Sequence, residues 1–480
     1  MECLPLRPWS DLLSACCYPL HAQRQASLCV EKDDKMTWYH PGIYDPAVPV
    51  GSYWEDEAPP LGDGVDLGPV RDETCDVAII GGGYTGLSCA LHLARDFNTD
   101  VRLLEAGPLG WGASGRNGGF CTLPPAALSL DELISRYGED EARRFIASQI
   151  EAVELVRDLA RDENIGIHPQ GEGELHVAHT PSRWRHLEHE RDLLAHLGIA
   201  ARLFPREEVA EKFYDSTEQF GALLNPVGFG LQPLRLARGL AVAAGRAGAK
   251  LHGASPVIRW ERAGGLHRLV TPSGTVSARR VVVATNGFTQ ESLHPDLSPR
   301  LIPVMSNIVV TRPLTEAELA AQNWRTQTPC ANTRNLLFYY RLLPDRRFLF
   351  GARGDLTGKP ADARRMRAFM ERRLGQVFPG WAHVPVTHNW RGLVCMTLRR
   401  APSIGELEDD PGVFFALAWH GNGVAAAPWA GRLLARLIGG TAENASIPAV
   451  FRGNPARIPF PSLRRWYLRG ALGYYRLTDL

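Results

Sequence analysis

No stretch of this sequence approaches the roughly 18 consecutive apolar residues that a helix needs to cross a bilayer, so a membrane-spanning helix is not expected. Charge of one sign is missing too. The 53 Lys and Arg stand against 52 Asp and Glu, a net of +1, which argues against a nucleic-acid partner. The nine cysteines show no paired spacing beyond Cys16-Cys17, and no His, Asp or Glu cluster has a metal ligand spacing, so no metal site is expected. Scattered single cysteines fit a reducing cytoplasm better than a disulfide framework. Internal repeats and low-complexity tracts are absent. What is present is an ordinary balance, 45% hydrophobic and 22% charged, enough for a sizeable core and two or three domains.

Residues 1–36 hold Cys3, Cys16, Cys17 and Cys29 without periodicity. Their apolar stretch is preceded by Asp11 and broken by Pro19, a poor secretory core. They read as a disordered leader. Residues 37–71, rich in Pro, Gly and aromatics, read as an extended arm on the surface. CDVAII then reads as a buried parallel strand, LSCALHLAR as a helix and VRLLE as a second strand, one βαβ unit. Helical periodicity dominates 129–213, interrupted by the strand GEGELHVAH. LRLARGLAVAAGRAGA is a further helix, followed by short strands in PVIRWER, HRLVT and RRVVVAT. Longer strands fall in 301–311 and 335–352. FFALAW and GVAAAPWAGRLLARLIGG close the pattern as strand and helix. This order predicts a discontinuous α/β Rossmann-type domain (72–125, 225–295 and 390–445). An α+β substrate domain on an antiparallel or mixed sheet (126–224 and 296–389) is inserted into it, and a tail covers 446–480.

Gly81-Gly82-Gly83-Tyr84-Thr85-Gly86 contains G-x-G-x-x-G between that first strand and helix, the context that gives the pattern meaning. Gly81 permits the tight turn, Gly83 lets a pyrophosphate approach the backbone, and Gly86 lets the helix pack close to the sheet, with Thr85 in the same turn. The helix N-terminus offers free N–H groups to phosphate. Glu105 ends the second strand, followed by Ala106. Its carboxylate suits ribose hydroxyls and repels a 2′-phosphate. An adenosine dinucleotide is expected, with FAD and NAD both still open.

Two further glycine-rich segments favour FAD: WGASGRNGGF at 111–120, and HGNGV at 420–424 between a late strand and a late helix. A flavin dinucleotide needs a second, distant cradle for its ring. A helix N-terminus at Gly421, Gly423 and Val424 would stabilise negative charge near N1 and C2=O of reduced flavin.

CDVAIIGGGYTGLSCALHLAR, LLEAGPLGWGASGRNGGF, RRVVVATNGFT, RAPSIG and HGNGV together resemble the D-amino-acid-oxidase (DAO) family of FAD-dependent amine oxidoreductases, over about residues 38–438. SYWEDEAPP, TRNLLFYYRLLPDRRFLFGAR and WRGLVCMTLRRAPSIG resemble its gamma-glutamylputrescine-oxidase subgroup, whose setting is polyamine catabolism. The resemblance implies flavin-facing roles for Ser114, Arg116, Asn117, Gly118 and Gly119. It also implies a main-chain adenine contact at Val257 and closure of the nucleotide site by 284–287, including Ala284 and Gly287.

Two departures from family patterns inform the chemistry. Relatives that bind flavin covalently use a Cys a few residues before the place of Cys395, or a His absent from GASGRNGG, so FAD is expected to be non-covalent. Glycine-oxidase-type relatives carry GLRP, whose Arg clamps the substrate carboxylate. The matching residues here are Gly392-Leu393-Val394-Cys395, which place Val394 where that Arg would be. An α-amino acid would lose its bidentate anchor, which favours an amine or a substrate with a distant carboxylate.

Candidate catalytic residues are Asn117, Tyr340, Arg353 and His420, with Arg391 near the same place. Strand alternation puts Tyr339 and Arg341 on one face and Tyr340 on the other, and Arg341 or Arg353 suits the distal carboxylate. The expected reaction passes a hydride from the amine's α-carbon to flavin N5 and releases an imine that hydrolyses. Oxygen, or another acceptor, reoxidises the flavin, with H2O2 as the oxygen product. A sarcosine-, glycine- or D-amino-acid-type oxidase or dehydrogenase stays open, as does a non-catalytic flavin-binding redox partner. The tail mixes Arg with Trp and Tyr at helical spacing, fit either to rest on an anionic membrane or to dock on its own domain.

Overall fold

CDVAII belongs to a strand, Glu73–Ile80, buried at its C-terminal half because both faces of a parallel sheet are covered. The computed structural model describes residues 38–61, 65, 67–123 and 126–478, and the leader expected over 1–36 lies outside them. The order across the first sheet is Ser403–Glu406, Val413–Leu417, Thr275–Val283, Glu73–Ile80, Val101–Leu104 and Lys250–His252. All but the edge strand Ser403–Glu406 run parallel. A hairpin, Arg259–Ala263 with Leu266–Val270, leaves it through Thr275–Val283. The helices Tyr84–Phe97 and Ala426–Ile438 pack so closely that a Cβ on Gly431 would collide with Thr85 O.

The second sheet runs Val386–Met396, Ile302–Pro313, Arg347–Arg353, Phe338–Leu342, Cys330–Asn332, Glu174–Val177, Ala222–Asn225 and Arg202–Phe204. It is antiparallel except where Cys330–Asn332 meets Glu174–Val177, so the mixed sheet is the correct reading. That junction joins the two inserted segments into one sheet. An aromatic cluster packs against it, with Tyr214 stacked on Trp324 at 4.6 Å and Phe348 against Trp381 at 4.7 Å.

Two expectations need correction. Val386–Met396 pairs with Ile302–Pro313 from Met396 to Val386, so a domain boundary at 389/390 cuts a substrate-sheet strand. The ladder hydrogen bonds hold that strand together, and its C-terminal half also touches the first sheet's side, as where Cys395 O accepts from His420 N at 3.0 Å. The arm lies only partly on the surface: His40, Val48, Gly51, Glu55 and Pro59 are exposed, while most of its aromatic residues are buried. Trp54 is 1% exposed and Tyr39 3%. Large rings bury much apolar area, and their polar tips must find partners. Tyr39 OH donates to Pro303 O at 3.1 Å and accepts from Met305 N at 3.2 Å, and Trp54 Nε1 donates to Asn117 O at 2.8 Å.

The tail is helical over Arg464–Thr478 and docks by Arg464, which pairs with Glu291 at 2.6 Å and donates to Ser298 O at 2.7 Å. Among the described residues, no helix is long and apolar enough to cross a membrane, and no acidic, His or Cys group could hold a metal ion.

Candidate active site

The strand–turn–helix at residues 80–84 leaves room only for backbone. Gly81 has φ +111°, and a Cβ there would lie 2.8 Å from Ala284 O, while one on Gly86 would collide with Gly81 O. Gly83 begins the helix without a side-chain cap. Ser114 reaches this point from the second glycine-rich segment, its hydroxyl accepting from Tyr84 N at 2.9 Å. Glu105 accepts from Gly82 N at 2.6 Å and Gly107 N at 3.0 Å. Burial raises its pKa, opposed by those N–H groups, by that of Ala106 and by Arg116. Ser255 N donates to Glu105 O at 2.7 Å. This brings Val257 into the apolar cluster with Ile80, Leu104 and Val283 at the end of the sheet. Ala284 N donates to Ile80 O at 2.8 Å, and Gly287 packs against Leu393. These residues of the expected nucleotide set come together.

The GASGRNGG loop is held from several sides. Asn117 Nδ2 donates to Ser114 O at 2.9 Å and Ala113 O at 3.1 Å, and its Oδ1 accepts from Gly119 N at 2.8 Å. Those bonds shape the loop. Trp390 Nε1 donates to Arg116 O at 2.9 Å. The Arg116 guanidinium lies 4.2 Å from the Trp111 ring centre and donates to Trp111 O at 2.8 Å. No carboxylate pairs with it among the described residues, and burial pulls it down to about 10.

Arg341 and Tyr340 point the opposite ways that alternation requires, and this overturns two expected roles. Arg341 is 1% exposed and spent on structure. It donates to Gly118 O at 2.9 Å, Gln170 Oε1 at 3.0 Å and Leu231 O at 2.5 Å, so it is not available to a substrate carboxylate. Tyr340 is not at the flavin loop. It hydrogen-bonds Tyr214 OH at 2.7 Å inside the aromatic cluster, because its face of the strand is the core face. Tyr339 is the tyrosine on the loop side. A Cβ on Gly118 would lie 2.9 Å from its ring, and its hydroxyl meets Ser306 Oγ at 3.0 Å. Arg391 is ion-paired with Asp355 at 2.7 Å.

Arg353 and His420 do come together with the HGNG turn. Arg353 Nη2 donates to His420 O at 3.0 Å, and a Cβ on Gly421 would lie 2.9 Å from that nitrogen and 3.7 Å from Val394 Cγ1. Arg353 has no ion-pair partner among the described residues, and burial lowers its pKa. Burial also pulls His420 down to about 3, with Arg353 adding to the effect, so its imidazole is neutral. Ala418, His420 and Gly421 all have positive φ, at +68°, +51° and +98°. Such strain in non-glycine residues clusters at functional turns. Asn286 Oδ1 accepts from Ala418 N at 2.9 Å and supports the turn, within the 284–287 segment expected to close the nucleotide site. Trp54 and Trp390 are not among the expected site residues, although SYWEDEAPP and WRGLVCMTLRRAPSIG hold them.

The chemistry of this site fits FAD. Gly83 and Ala425 each start a helix without a side-chain cap, leaving N–H groups for pyrophosphate and for the ring's polar edge. Trp111 Nε1 and His420 Nδ1 are buried without a hydrogen-bond partner. Glu105, at the end of the second strand, would meet the ribose hydroxyls. Fold and site together define an FAD-dependent oxidoreductase. The DAO family model, described as FAD dependent oxidoreductase, matches residues 76–437, and the chain belongs to that family. It is 32% identical over 417 residues to gamma-glutamylputrescine oxidoreductase of Escherichia coli (strain K12), covering 85% of this chain and 93% of that protein. It is 26% identical over 377 residues to glycine oxidase of Bacillus subtilis (strain 168), covering 76% and 92%. The fold matches the crystal structure of glycine oxidase from Geobacillus kaustophilus with a TM-score of 0.67 at 24% identity, over 80% of this chain and 99% of that one. The chain is thus an FAD-dependent oxidoreductase acting on an amine or amino acid, with a small-molecule substrate and an electron acceptor.

Proposed function

We propose that the chain oxidises the C–N bond of an amine whose carboxylate lies several bonds from the reacting carbon, a gamma-glutamylputrescine-like substrate. The observation that carries this is the pair Val394 and Arg353. An α-carboxylate beside the flavin must be desolvated and needs a fixed guanidinium to offset that cost. Position 394 offers an isopropyl group instead. Arg353 enters from the substrate sheet, anchored on His420 O, with no carboxylate partner among the described residues. It meets a carboxylate carried on the far end of the substrate, as in a gamma-glutamyl group. The likeness to the Escherichia coli enzyme supports the same substrate class.

FAD, when bound, supplies a two-electron acceptor that takes the hydride at N5 and passes the electron pair to molecular oxygen, giving H2O2. The oxidised amine leaves as an imine, which water hydrolyses to an aldehyde and ammonia. Tyr339 walls the site beside Gly118, and the N–H groups at the helix start after Gly423 would hold the ring's polar edge. Attachment is non-covalent. Cys395 is buried, and its thiol is raised to about 12, so it is no thiolate nucleophile. Cys75, Cys89, Cys121, Cys330 and Cys395 are all unpaired, which supports a cytoplasmic setting.

The test compares kcat/KM for gamma-glutamylputrescine, putrescine, sarcosine and D-alanine. The first is expected to lead. If sarcosine or D-alanine leads by about ten-fold or more, another cation clamps an α-carboxylate and the reading fails. No bleaching of the flavin by any amine under anaerobic conditions would sink the enzymatic role itself.

A further inference from the structure

The C-terminal helix Arg464–Thr478 has two unlike faces. One is docked: Arg464 is ion-paired with Glu291, Leu468 packs against the cluster of Trp38, Tyr39 and Met305, and Leu472 is 5% exposed. The other carries Trp466, Tyr467 and Tyr474, which fall within about 100° of one another on the outer side, and Leu463 is exposed in the turn just before the helix. Trp466 is 64% exposed and Tyr474 63%. Phe460, just before the helix, is 72% exposed with φ +45°. A face this apolar is rarely left to water.

Its charge says what covers it. From Pro455 to Thr478 there is no Asp or Glu, while Arg457, Arg464, Arg465, Arg469 and Arg476 all fall there. Arg465 and Arg469 are exposed and pair with no carboxylate among the described residues, and Arg469 lies 5.1 Å from the Trp466 ring centre. Arg465 and Arg469 line the flank of the helix next to Trp466, between the docked face and the aromatic strip, and Trp and Tyr flanked by arginine suit the boundary between lipid headgroups and acyl chains. A surface that complements unopposed arginines carries negative charge. We infer that this helix seats the folded protein on an anionic lipid bilayer by its outer face, without crossing it. The docked face stays on the protein, so binding requires no unfolding of the helix.

The experiment uses the intact, flavin-loaded chain with vesicles of phosphatidylcholine alone or with about 30% phosphatidylglycerol, read by co-sedimentation. The protein is expected to sediment with the anionic vesicles and not the neutral ones, and to be released as salt shortens the Debye length. Trp466→Ser with Tyr474→Ser, and separately Arg465→Gln with Arg469→Gln, should each lower binding by about ten-fold or more. Flavin content and amine turnover in solution should stay unchanged in both variants. The inference is overturned if the protein ignores both vesicles, binds both equally, or binds as well with Trp466 and Tyr474 replaced. It is also overturned if the native chain is a dimer in solution that the Trp466/Tyr474 variant splits, because the face then belongs to a second copy.

Discussion

Arg341 donates from Nε to the carbonyl of Gly118 at 2.9 Å, across 223 positions of chain, and so ties the second sheet to the GASGRNGG loop. Its other two nitrogens hold Gln170 and Leu231, and no substrate is needed to explain the residue. Arg341→Met should leave three buried acceptors unsatisfied and cost on the order of 3 kcal/mol or more. Melting temperature and the ratio of flavin to protein absorbance should both fall. A variant with normal melting and full flavin would show that the tie is dispensable.

Glu105→Gln keeps the shape of the side chain but removes its charge and one of the two side-chain oxygens that accept from the backbone N–H groups of Gly82 and Gly107. A charge-assisted bond of about 1.5–3 kcal/mol is at stake, so FAD affinity should drop by roughly ten-fold or more, measured by titrating apoprotein. The same preparation tests attachment: acid should release all the flavin into the supernatant, and colour left in the pellet would contradict a non-covalent cofactor.

Arg353→Gln separates the two ends of the substrate. KM for gamma-glutamylputrescine should rise by about ten-fold to a hundred-fold, the value of a charge-assisted carboxylate contact, while putrescine turnover changes little. Equal losses on both substrates would assign Arg353 to the turn at His420 rather than to a carboxylate.

His420, pulled down to about 3, and His92, pulled down to about 4, are neutral in the fold. Below the ordinary histidine value the unfolded chain takes up protons that these two refuse, so stability falls as pH falls from about 6.5 toward 4, by about 1.4 kcal/mol per pH unit for each group. His176 works the other way. Glu174 and Glu190 raise it despite burial, so its contribution is full below about 6.5 and is lost as pH rises through its folded value. Urea unfolding of His420→Asn across that acid range should show a shallower loss than the parent. An unchanged slope would mean His420 already carries a proton in the fold. Turnover should rise with pH through the amine's own deprotonation, with no His420 inflection near neutrality.

The strand, glycine turn, helix and Glu105 were legible because they are local, and their periodicity and spacing survive in a single sequence. HGNGV was legible for the same reason. The faces of Phe338–Leu342 were not. Alternation separates Tyr339 and Arg341 from Tyr340, but which side meets the loop depends on how the sheet is seated, and Tyr214 decides it from 126 positions away. In the arm, the exposed prolines were legible as surface chain, but the burial of its aromatics was not. The partners that bury Tyr39 and Trp54 lie at Pro303, Met305 and Asn117, far along the sequence.

That arm carries a consequence for how the chain is made. Trp54 leaves the ribosome before Trp390, packs edge-on to it at 6.0 Å, and cannot reach it until the next 336 residues have been made. At synthesis rates of about 5–20 residues per second, the wait is roughly 17–67 s. During that interval the arm's aromatic side chains, buried in the finished fold, have no native cover. The nascent chain therefore carries uncovered aromatic side chains until Trp390 is made, and pausing between Trp54 and Trp390 should lower yield more than pausing after Trp390.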